Sequence, residues 1–252
     1  MRTDGSVSAF TREVLARARA AEVTIVFVSA RGPNGVRAVA DEAQVDDGLA
    51  ICSNGAVVID LGTRETVKHR ALAAEVAVAV IRELRARLPD VTFATEIESQ
   101  FALEPAFQGG WDDWQPPEGT RYGDALELVV APVTKLMARD PTGPNTRLAE
   151  VAADVVGDRA AVSIAGEWVV EINVAGVNKG AALEELATEL GVAAEEVVAF
   201  GNYANDLPML AWAGTSIAPG NAHPDVLAAV DEITASNDED GVALAIERLL
   251  PA

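Results

Sequence analysis

The sequence VVAFGNYANDLPMLAW, residues 197–212, decides the fold class. Its apolar beginning predicts a short strand at Val197–Phe200 that is buried on both faces. The residues after the strand predict a helix over Asn205–Trp212, and upstream Lys179–Leu190 has the pattern of a helix that is stopped by a glycine. A buried strand between two helices is typical of a parallel sheet covered by helices.

The first 60 residues show the same alternation. The apolar run VTIVFV, Val23–Val28, predicts another strand buried on both sides. The remaining elements of this pattern are helices at Thr11–Glu22 and Asn34–Glu42, strands at Leu49–Cys52, Val57–Asp60 and Thr215–Ala218, and a closing helix at Glu239–Leu250. We therefore predict an α/β fold with a Rossmann-like parallel sheet and right-handed crossovers.

The middle of the chain has a different texture. A long amphipathic helix is predicted at Leu72–Leu88, and alternating half-exposed strands at Val91–Thr95, Thr134–Ala138 and Glu167–Asn173. A loop rich in Gly, Pro and Trp, 108–123, lies between them. This pattern predicts an α+β cap domain at 61–175, inserted into a core formed by 1–60 and 176–252.

Composition restricts the classes of partner. The 252 residues contain 19 Lys and Arg against 39 Asp and Glu, which gives a net charge of −20. Nucleic acids and anionic membranes need a basic surface, so we expect neither as a partner. One cysteine excludes intrachain disulfides, and two histidines make His-based metal sites improbable. The sequence favours a cytoplasmic protein that binds a small molecule, and it leaves the oligomeric state open.

Polar residues follow three of the predicted strands. Ser29 ends the first, Asn54 ends the second, and Asn202 with Asn205 and Asp206 follows the strand at Val197–Phe200. Each has an ordinary explanation, because Ser and Asn form turns and cap helices. Together they are expected to meet at the carboxyl edge of the sheet, where α/β proteins bind ligands.

Lys179 is the most informative single residue. It is one of three lysines in the chain, with Lys68 and Lys135, and it opens a helix in a strongly acidic segment. A solvated surface lysine is one interpretation. A cation at a helix N-terminus opposes the helix dipole, however, so an anionic ligand beside it is the other.

These motifs resemble the haloacid dehalogenase (HAD) superfamily, and most of all its Cof-like class IIB phosphatases. The segment GVNKG at 176–180 is similar to the family's G-V-x-K-G, and GNYANDLPML at 201–210 is similar to G-D-x-x-N-D-x-x-M-L. Ser29-Ala30-Arg31 resembles the T-G-R of the family, and Asn54-Gly55-Ala56 resembles its N-G-A loop. The resemblance covers both core segments in the correct order.

The resemblance implies a Mg²⁺-dependent phosphatase that acts on a small phosphorylated metabolite through an aspartyl-phosphate intermediate. It implies that Ser29 and Lys179 are catalytic and contact the phosphoryl group. Phosphate or substrate binding is implied for Ser29, Ala30, Arg31, Asn54, Gly55, Lys179 and Asn205. Asp206 and Asn202 are implied to hold Mg²⁺, since this hard cation prefers oxygen ligands.

Two departures from the family pattern affect the expected activity. The first motif, D-x-D-G-T/S after an apolar strand, is absent, and Asp4-Gly5-Ser6 is a poor substitute because it lacks a preceding strand. Asn202 stands where the family has Asp, which removes a charge from the metal site. We expect that the coding sequence extends upstream of Met1 and supplies the missing strand, and that the 252-residue form is impaired.

Two alternatives remain open at this point. One is a phosphometabolite-binding protein that kept Ser29, Asn54 and Lys179 but lost hydrolysis; the other is a structural or partner-binding remnant. In the cap loop, Trp111 and Trp114 either pack within the cap or form a wall that faces the substrate.

Overall fold

The chain folds into two compact units. The computed structural model describes residues 1–108, 115–165 and 168–250. The core unit comprises Met1–Lys68 and Asn178–Ala252, and the inserted unit comprises His69–Val177. The first boundary falls later than residue 60 because a fourth strand, Thr66–His69, extends the sheet of the first segment. Among the described residues, no helix is long and apolar enough to cross a membrane.

The strands of the core unit form two separate sheets within the described residues. One sheet has the order β1-β2-β3-β4 and the other the order β11-β12-β13. Their bounds are β1 Phe27–Val28, β2 Leu49–Cys52, β3 Val57–Asp60, β4 Thr66–His69, β11 Val198–Phe200, β12 Thr215–Pro219 and β13 Glu232–Thr234.

The predicted parallel pairing is confirmed for most of these strands and is wrong for one. β1 runs parallel to β2, and β11, β12 and β13 are parallel to one another. β3 is antiparallel to β2, with Leu49 opposite Asp60. Only Ser53–Ala56 joins these two strands, and a parallel pair needs a crossover of a dozen residues or more. The short connection therefore enforces a hairpin.

The predicted strand at Val23–Val28 is much shorter than expected. Only Phe27–Val28 is a strand, and Val23 is 46% exposed. The apolar run predicted a strand buried on both sides, but in the described residues β1 has a strand neighbour on one side only, which is β2. A run of β-branched residues forms a strand only where neighbouring strands complete its hydrogen bonds.

Helices surround these sheets, and their packing positions the loops at the strand ends. The helix at Lys179–Leu190 is confirmed at both ends: the Asn178 side chain accepts from the backbone N–H of Ala181, and Gly191 adopts a left-handed conformation. Its apolar face packs with residues of β2, β11 and β12 and with the helix Leu207–Trp212. The helices of the core unit are α1 Ala9–Ala20, α2 Pro33–Ala43, α6 Lys179–Leu190, α7 Leu207–Trp212, α8 Pro224–Leu227 and α9 Gly241–Leu249.

The inserted unit contains one six-stranded sheet in the order β7-β6-β5-β8-β10-β9. All its neighbouring strands are antiparallel except β6 and β7. Helices pack on Phe93, Leu136 and Ile172 of this sheet. The elements are α3 Ala74–Arg87, α4 Ala125–Leu128, α5 Asn145–Val156, β5 Thr92–Ile97, β6 Gln100–Leu103, β7 Arg121–Tyr122, β8 Lys135–Arg139, β9 Ala160–Ala165 and β10 Val169–Val174.

The α+β character of the inserted unit was predicted, and the helix and three strands foreseen there lie within a few residues of their observed positions. The sequence interpretation missed α4, α5, β6 and β9. Within the long loop expected at 108–123, the structure has the short strand β7, and 109–114 lie outside the described residues.

Candidate active site

The segment after β1 is tied by its backbone to the turn after β2. The Ser29 N–H donates to the carbonyl of Ile51 at 2.9 Å, and the Ser29 carbonyl accepts from the Asn54 N–H at 3.0 Å. The Ser53 N–H donates to the carbonyl of Arg31 at 2.8 Å. Within the segment, the Arg31 N–H donates to Ser29 Oγ at 3.1 Å. These bonds hold Ser29, Ala30 and Arg31 beside Asn54.

The turn after β2 also packs closely against the start of α6. Asn54 has a left-handed conformation with φ of 58°, and Gly55 has φ of 104°. A Cβ atom at Gly55 would lie 2.7 Å from the carbonyl oxygen of Asn178, the residue that caps α6. Only glycine permits this backbone and this approach. The turn therefore brings Asn54 close to Lys179, the first residue of α6.

A side-chain bond joins this turn to the loop after β11. The amide of Asn205 donates to Asn54 Oδ1 at 3.0 Å, and Asn54 is only 6% exposed. The loops that follow β1, β2 and β11 are thus connected by hydrogen bonds into one network. Because these loops leave the carboxyl ends of their strands, the network lies at the edge where α/β folds bind ligands.

Lys179 and Asp206 form a buried ion pair in this network. Lys179 Nζ lies 2.5 Å from Asp206 Oδ1, and the two side chains are 7% and 6% exposed. The other carboxylate oxygen, Oδ2, accepts from the backbone N–H groups of Asn202 at 2.9 Å and Tyr203 at 3.0 Å. Charge-assisted bonds of this kind are short and fix the orientation of the carboxylate.

The start of α6 reaches Asp206 because α6 and α7 pack closely. A Cβ atom at Gly180 would lie 2.6 Å from the carbonyl group of Pro208. This contact explains why glycine follows Lys179 in the sequence. Two buried charges that compensate each other leave little net charge here, so an incoming anion would compete with Asp206 for the ammonium.

The predicted residues do not all contribute in the same way. The structure brings together Ser29, Ala30, Arg31, Asn54, Gly55, Lys179, Asn205 and Asp206. Asn202 is exposed and joins the network through its backbone N–H. Trp111 and Trp114 lie outside the described residues. Sequence reasoning missed Ser53, whose hydroxyl is buried in this turn and has no hydrogen-bond partner among the residues that the structure describes. Its position between β2 and Asn54 was the available signal.

The fit of a metal ion to this network is incomplete. A carboxylate and an amide oxygen, from Asp206 and Asn202, are the right type of donor for Mg²⁺. Both oxygens of Asp206, however, already accept bonds from Lys179 and from backbone N–H groups. Over residues 1–108, 115–165 and 168–250, no three His, Cys, Asp or Glu side chains are grouped to hold a metal. Mg²⁺ would need further oxygen ligands.

Asp4 is held by its own turn. Its Oδ1 accepts from the hydroxyl of Ser6 at 2.7 Å and from the Ser6 N–H at 2.9 Å. These two bonds lower the pKa of Asp4 below its usual range, and the residue is exposed. The segment is anchored by Thr3, which bonds Asp238, and by Arg2, which bonds Asp240. Asp4 has no hydrogen bond to the network among the described contacts.

Comparison with known proteins gives a consistent result. A family model described as haloacid dehalogenase-like hydrolase matches residues 1–246. The chain is 28% identical over 259 aligned residues to YxeH of Bacillus subtilis (strain 168). This alignment covers 96% of this chain and 91% of YxeH. It is also 28% identical over 239 residues to a protein named HMP-PP phosphatase of Klebsiella pneumoniae (strain 342), covering 90% of this chain and 83% of that one.

A solved structure with a similar fold is that of BT4131, described as a sugar phosphatase of HAD subclass IIB. It matches with a TM-score of 0.80 at 21% sequence identity, over 97% of this chain and 92% of the BT4131 chain. At this level of identity, the likeness establishes a shared fold.

Proposed function

This chain belongs to the haloacid dehalogenase-like hydrolase family as a phosphatase, and on that premise we propose that it acts on a small phosphorylated metabolite, with Mg²⁺, in the network around Lys179. The substrate we propose is a phosphoric monoester such as a sugar phosphate. The observation that carries the proposal is the buried Lys179–Asp206 pair. Asp206 lies in the loop after β11, and Asn205 of the same loop is hydrogen-bonded to Asn54 in the turn after β2.

Lys179 would neutralise the charge of the phosphoryl group. Its ammonium is buried, and in a site of low dielectric constant a charge stabilises a developing negative charge more strongly than in water. Lys179 also begins α6, whose first N–H groups favour an anion. An oxyanion beside Lys179 would therefore be stabilised by the ammonium and by the first N–H groups of α6.

The loop residues would bind and orient the phosphoryl oxygens. Ser29 can donate its hydroxyl proton, and Ala30 and Arg31 belong to the same segment, in which the Arg31 N–H donates to Ser29 Oγ and holds it in place. Asn54, Gly55 and Asn205 would fix this segment relative to α6, since their contacts join the three loops. Phosphoryl transfer depends mainly on such positioning and charge stabilisation.

Mg²⁺ belongs to the proposal as a ligand of Asp206 and Asn202. When bound, it would supply further neutralisation of the phosphate charge. Because these two residues do not complete its coordination, we expect this chain to bind Mg²⁺ weakly.

We also propose that this chain hydrolyses phosphate esters poorly. The family pattern requires a carboxylate nucleophile, and among the described loop residues of the network the carboxylate is Asp206. It is engaged by Lys179 and by two backbone N–H groups. Asp4 is bound by Ser6 instead. The same observation favours a second candidate function, a phosphometabolite-binding protein that does not turn its ligand over.

Two measurements on the purified chain test these proposals. The first follows hydrolysis of p-nitrophenyl phosphate with and without Mg²⁺, and the second follows the melting temperature as inorganic phosphate is added. We expect slow or undetectable turnover, and a melting temperature that rises with phosphate because the anion binds the folded state. Turnover that depends on Lys179 favours the enzyme, and phosphate binding without turnover favours the second candidate.

Lys179→Met and Lys68→Met form the matched pair of variants. Lys68 is a lysine of the same unit whose ammonium lies 3.2 Å from Glu185, away from the network. The phosphate response should disappear in the first variant and persist in the second. A response that survives Lys179→Met would refute the assignment of the phosphate site.

A further inference from the structure

Tyr203 is an exposed aromatic residue in the loop after β11. Among the described residues, three Phe, Trp or Tyr side chains are exposed, and two of them, Tyr122 and Trp168, belong to the inserted unit. Tyr203 is the third, with 38% exposure, and it belongs to the core unit. Single exposed apolar residues are common on protein surfaces, so exposure alone does not indicate a function.

Tyr203 lies close to Lys179. Lys179 Nζ is 2.5 Å from Asp206 Oδ1, and the Tyr203 backbone N–H donates to Oδ2 of the same carboxylate at 3.0 Å. One carboxylate group therefore separates the ammonium from the backbone of Tyr203. The residues at the tip of this loop, 202–204, are exposed. The group esterified to a phosphate at Lys179 would lie near this tip.

The Tyr203 ring is also held in place. The His223 ring packs against it in a T-shaped arrangement, with centroids 5.6 Å apart and an interplanar angle of 66°. His223 is itself fixed, because its N–H donates to the Asn202 carbonyl at 2.9 Å and its Nδ1 accepts from the Asp225 N–H at 3.3 Å. Aromatic pairs of this geometry are favourable. A ring that is held in this way loses little conformational entropy when a ligand packs on it.

We infer that Tyr203 forms a stacking subsite for a planar ring in the alcohol part of the phosphate ester, and so favours ring-bearing esters over compact ones. The inference rests on the proposed function, because it takes the phosphoryl group to be bound at Lys179. The network uses only the backbone N–H of Tyr203, so the ring is available to contact a ligand. An aromatic face attracts a second flat ring through dispersion and through its quadrupole. An aliphatic group of similar size has no flat face and gains less.

Binding of phosphonates, which are not hydrolysed, tests the subsite without requiring turnover. The probes are phenylphosphonate, n-butylphosphonate and methylphosphonate, and titration calorimetry on the purified chain gives a Kd for each. Phenylphosphonate should bind about three- to tenfold more tightly than methylphosphonate, which corresponds to one aromatic contact. The gain for n-butylphosphonate should be clearly smaller. Equal affinities for phenylphosphonate and n-butylphosphonate would indicate a general apolar contact and would overturn the inference.

The two tyrosines of the chain provide the matched variants Tyr203→Leu and Tyr122→Leu. The readout is the ratio of the Kd of methylphosphonate to that of phenylphosphonate, in which a general change of the phosphate site cancels. The ratio should fall about three- to tenfold in Tyr203→Leu and stay unchanged in Tyr122→Leu. Tyr203→Phe keeps the ring and should keep the ratio. A ratio that survives Tyr203→Leu, or that falls equally in Tyr122→Leu, would refute the subsite.

Failure of this inference and failure of the proposed function give different results. If the unsubstituted chain binds none of the three phosphonates, the proposed phosphate site is wrong and the subsite is wrong with it. If the chain binds all three with equal affinity, the phosphate site stands and the subsite alone is wrong.

Discussion

Within the residues that the structure describes, each of the two units buries one lysine–carboxylate pair, and the pairs are built differently. In the core unit, Lys179 lies 2.5 Å from Asp206, with side chains 7% and 6% exposed. In the inserted unit, Lys135 lies 2.6 Å from Glu171, with side chains 4% and 8% exposed. Distance and burial are therefore nearly the same. The difference lies in the structural elements that carry the charges.

Lys135 and Glu171 belong to neighbouring strands, β8 and β10, in the interior of a sheet. Lys179 begins a helix, and Asp206 lies in a loop whose backbone donates two further hydrogen bonds to it. A strand pair is held in place by the whole sheet, whereas a helix terminus and a loop can admit a ligand. Burial alone therefore does not distinguish an ion pair at a proposed ligand site from one that belongs to the interior of a sheet.

The largest expected effect comes from removing one lysine at a time. Lys179→Met and Lys135→Met should each lower the free energy of unfolding by about 3–5 kcal/mol, because each removes the ammonium that compensates the charge of a buried carboxylate. Urea unfolding measures both losses. Only Lys179→Met should also abolish the rise in melting temperature with phosphate, and an equal phosphate response in both variants would break the comparison.

Replacing both members of each pair sharpens this result. Buried ion pairs are often no more stabilising than apolar residues of similar volume. The double variants Lys135→Met/Glu171→Met and Lys179→Met/Asp206→Met should therefore recover most of the stability that the single variants lose. The first should retain the phosphate response, and the second should lack it despite being folded. A stable second variant that still responds to phosphate would exclude this pair from the site.

The fold was predictable where local pattern and tertiary context agree. Lys179–Leu190 carries a capping Asn and a terminating Gly, and its helix was predicted to the residue. Val23–Val28 has the stronger strand pattern, yet only Phe27–Val28 forms a strand. In the inserted unit, every residue of β10 except Val174 is buried and the strand has two neighbours. Apolar sequence predicts a strand, but the neighbouring strands decide its length.

The residues of the candidate site could be predicted from the sequence, but most of the contacts between them could not. The three strand ends could be located from the sequence because polar residues follow apolar runs. The bond between Asn54 and Asn205 could not, since it joins residues 151 positions apart. The sequence also did not predict that both Asp206 oxygens accept hydrogen bonds, because this depends on how the backbone of Asn202 and Tyr203 turns. Because both oxygens already accept hydrogen bonds, Asp206 is a poorer ligand for Mg²⁺ than the sequence suggests.

A smaller effect is expected when a glycine of each unit is replaced by alanine. Gly55 has φ of 104° and would place a Cβ 2.7 Å from the carbonyl of Asn178, whereas Gly119 has φ of 80° and open space around it. Gly119→Ala should cost about 1 kcal/mol for its backbone conformation. Gly55→Ala should cost about 2–3 kcal/mol, because a steric clash is added, and it should weaken the phosphate response. Equal losses by urea unfolding would show that the turn can move away from α6.

The smallest expected effect is a difference in acid stability between one carboxylate of each unit. For Asp240, burial alone would raise the pKa, but hydrogen bonds from Arg2, Ser8 and Thr11 outweigh it and lower the pKa. Hydrogen bonds from Arg85 and from the Leu126 N–H lower the pKa of Asp124. The unfolded state then binds more protons, so the stabilisation is present above the unfolded pKa of about 3.9 and is lost as pH falls through the lower, folded value.

Asp240→Asn and Asp124→Asn should therefore reduce the loss of stability on acidification below about pH 4, when urea midpoints are compared from pH 5 to pH 2. The effect should be larger for Asp240 than for Asp124, because the Asp240 side chain is 16% exposed and that of Asp124 is 46% exposed. Solvent screens the exposed carboxylate, so its substitution should change the slope less. Arg2 bonds Asp240 and so anchors the N-terminal segment; a larger effect at Asp124 would mean that this anchor contributes little.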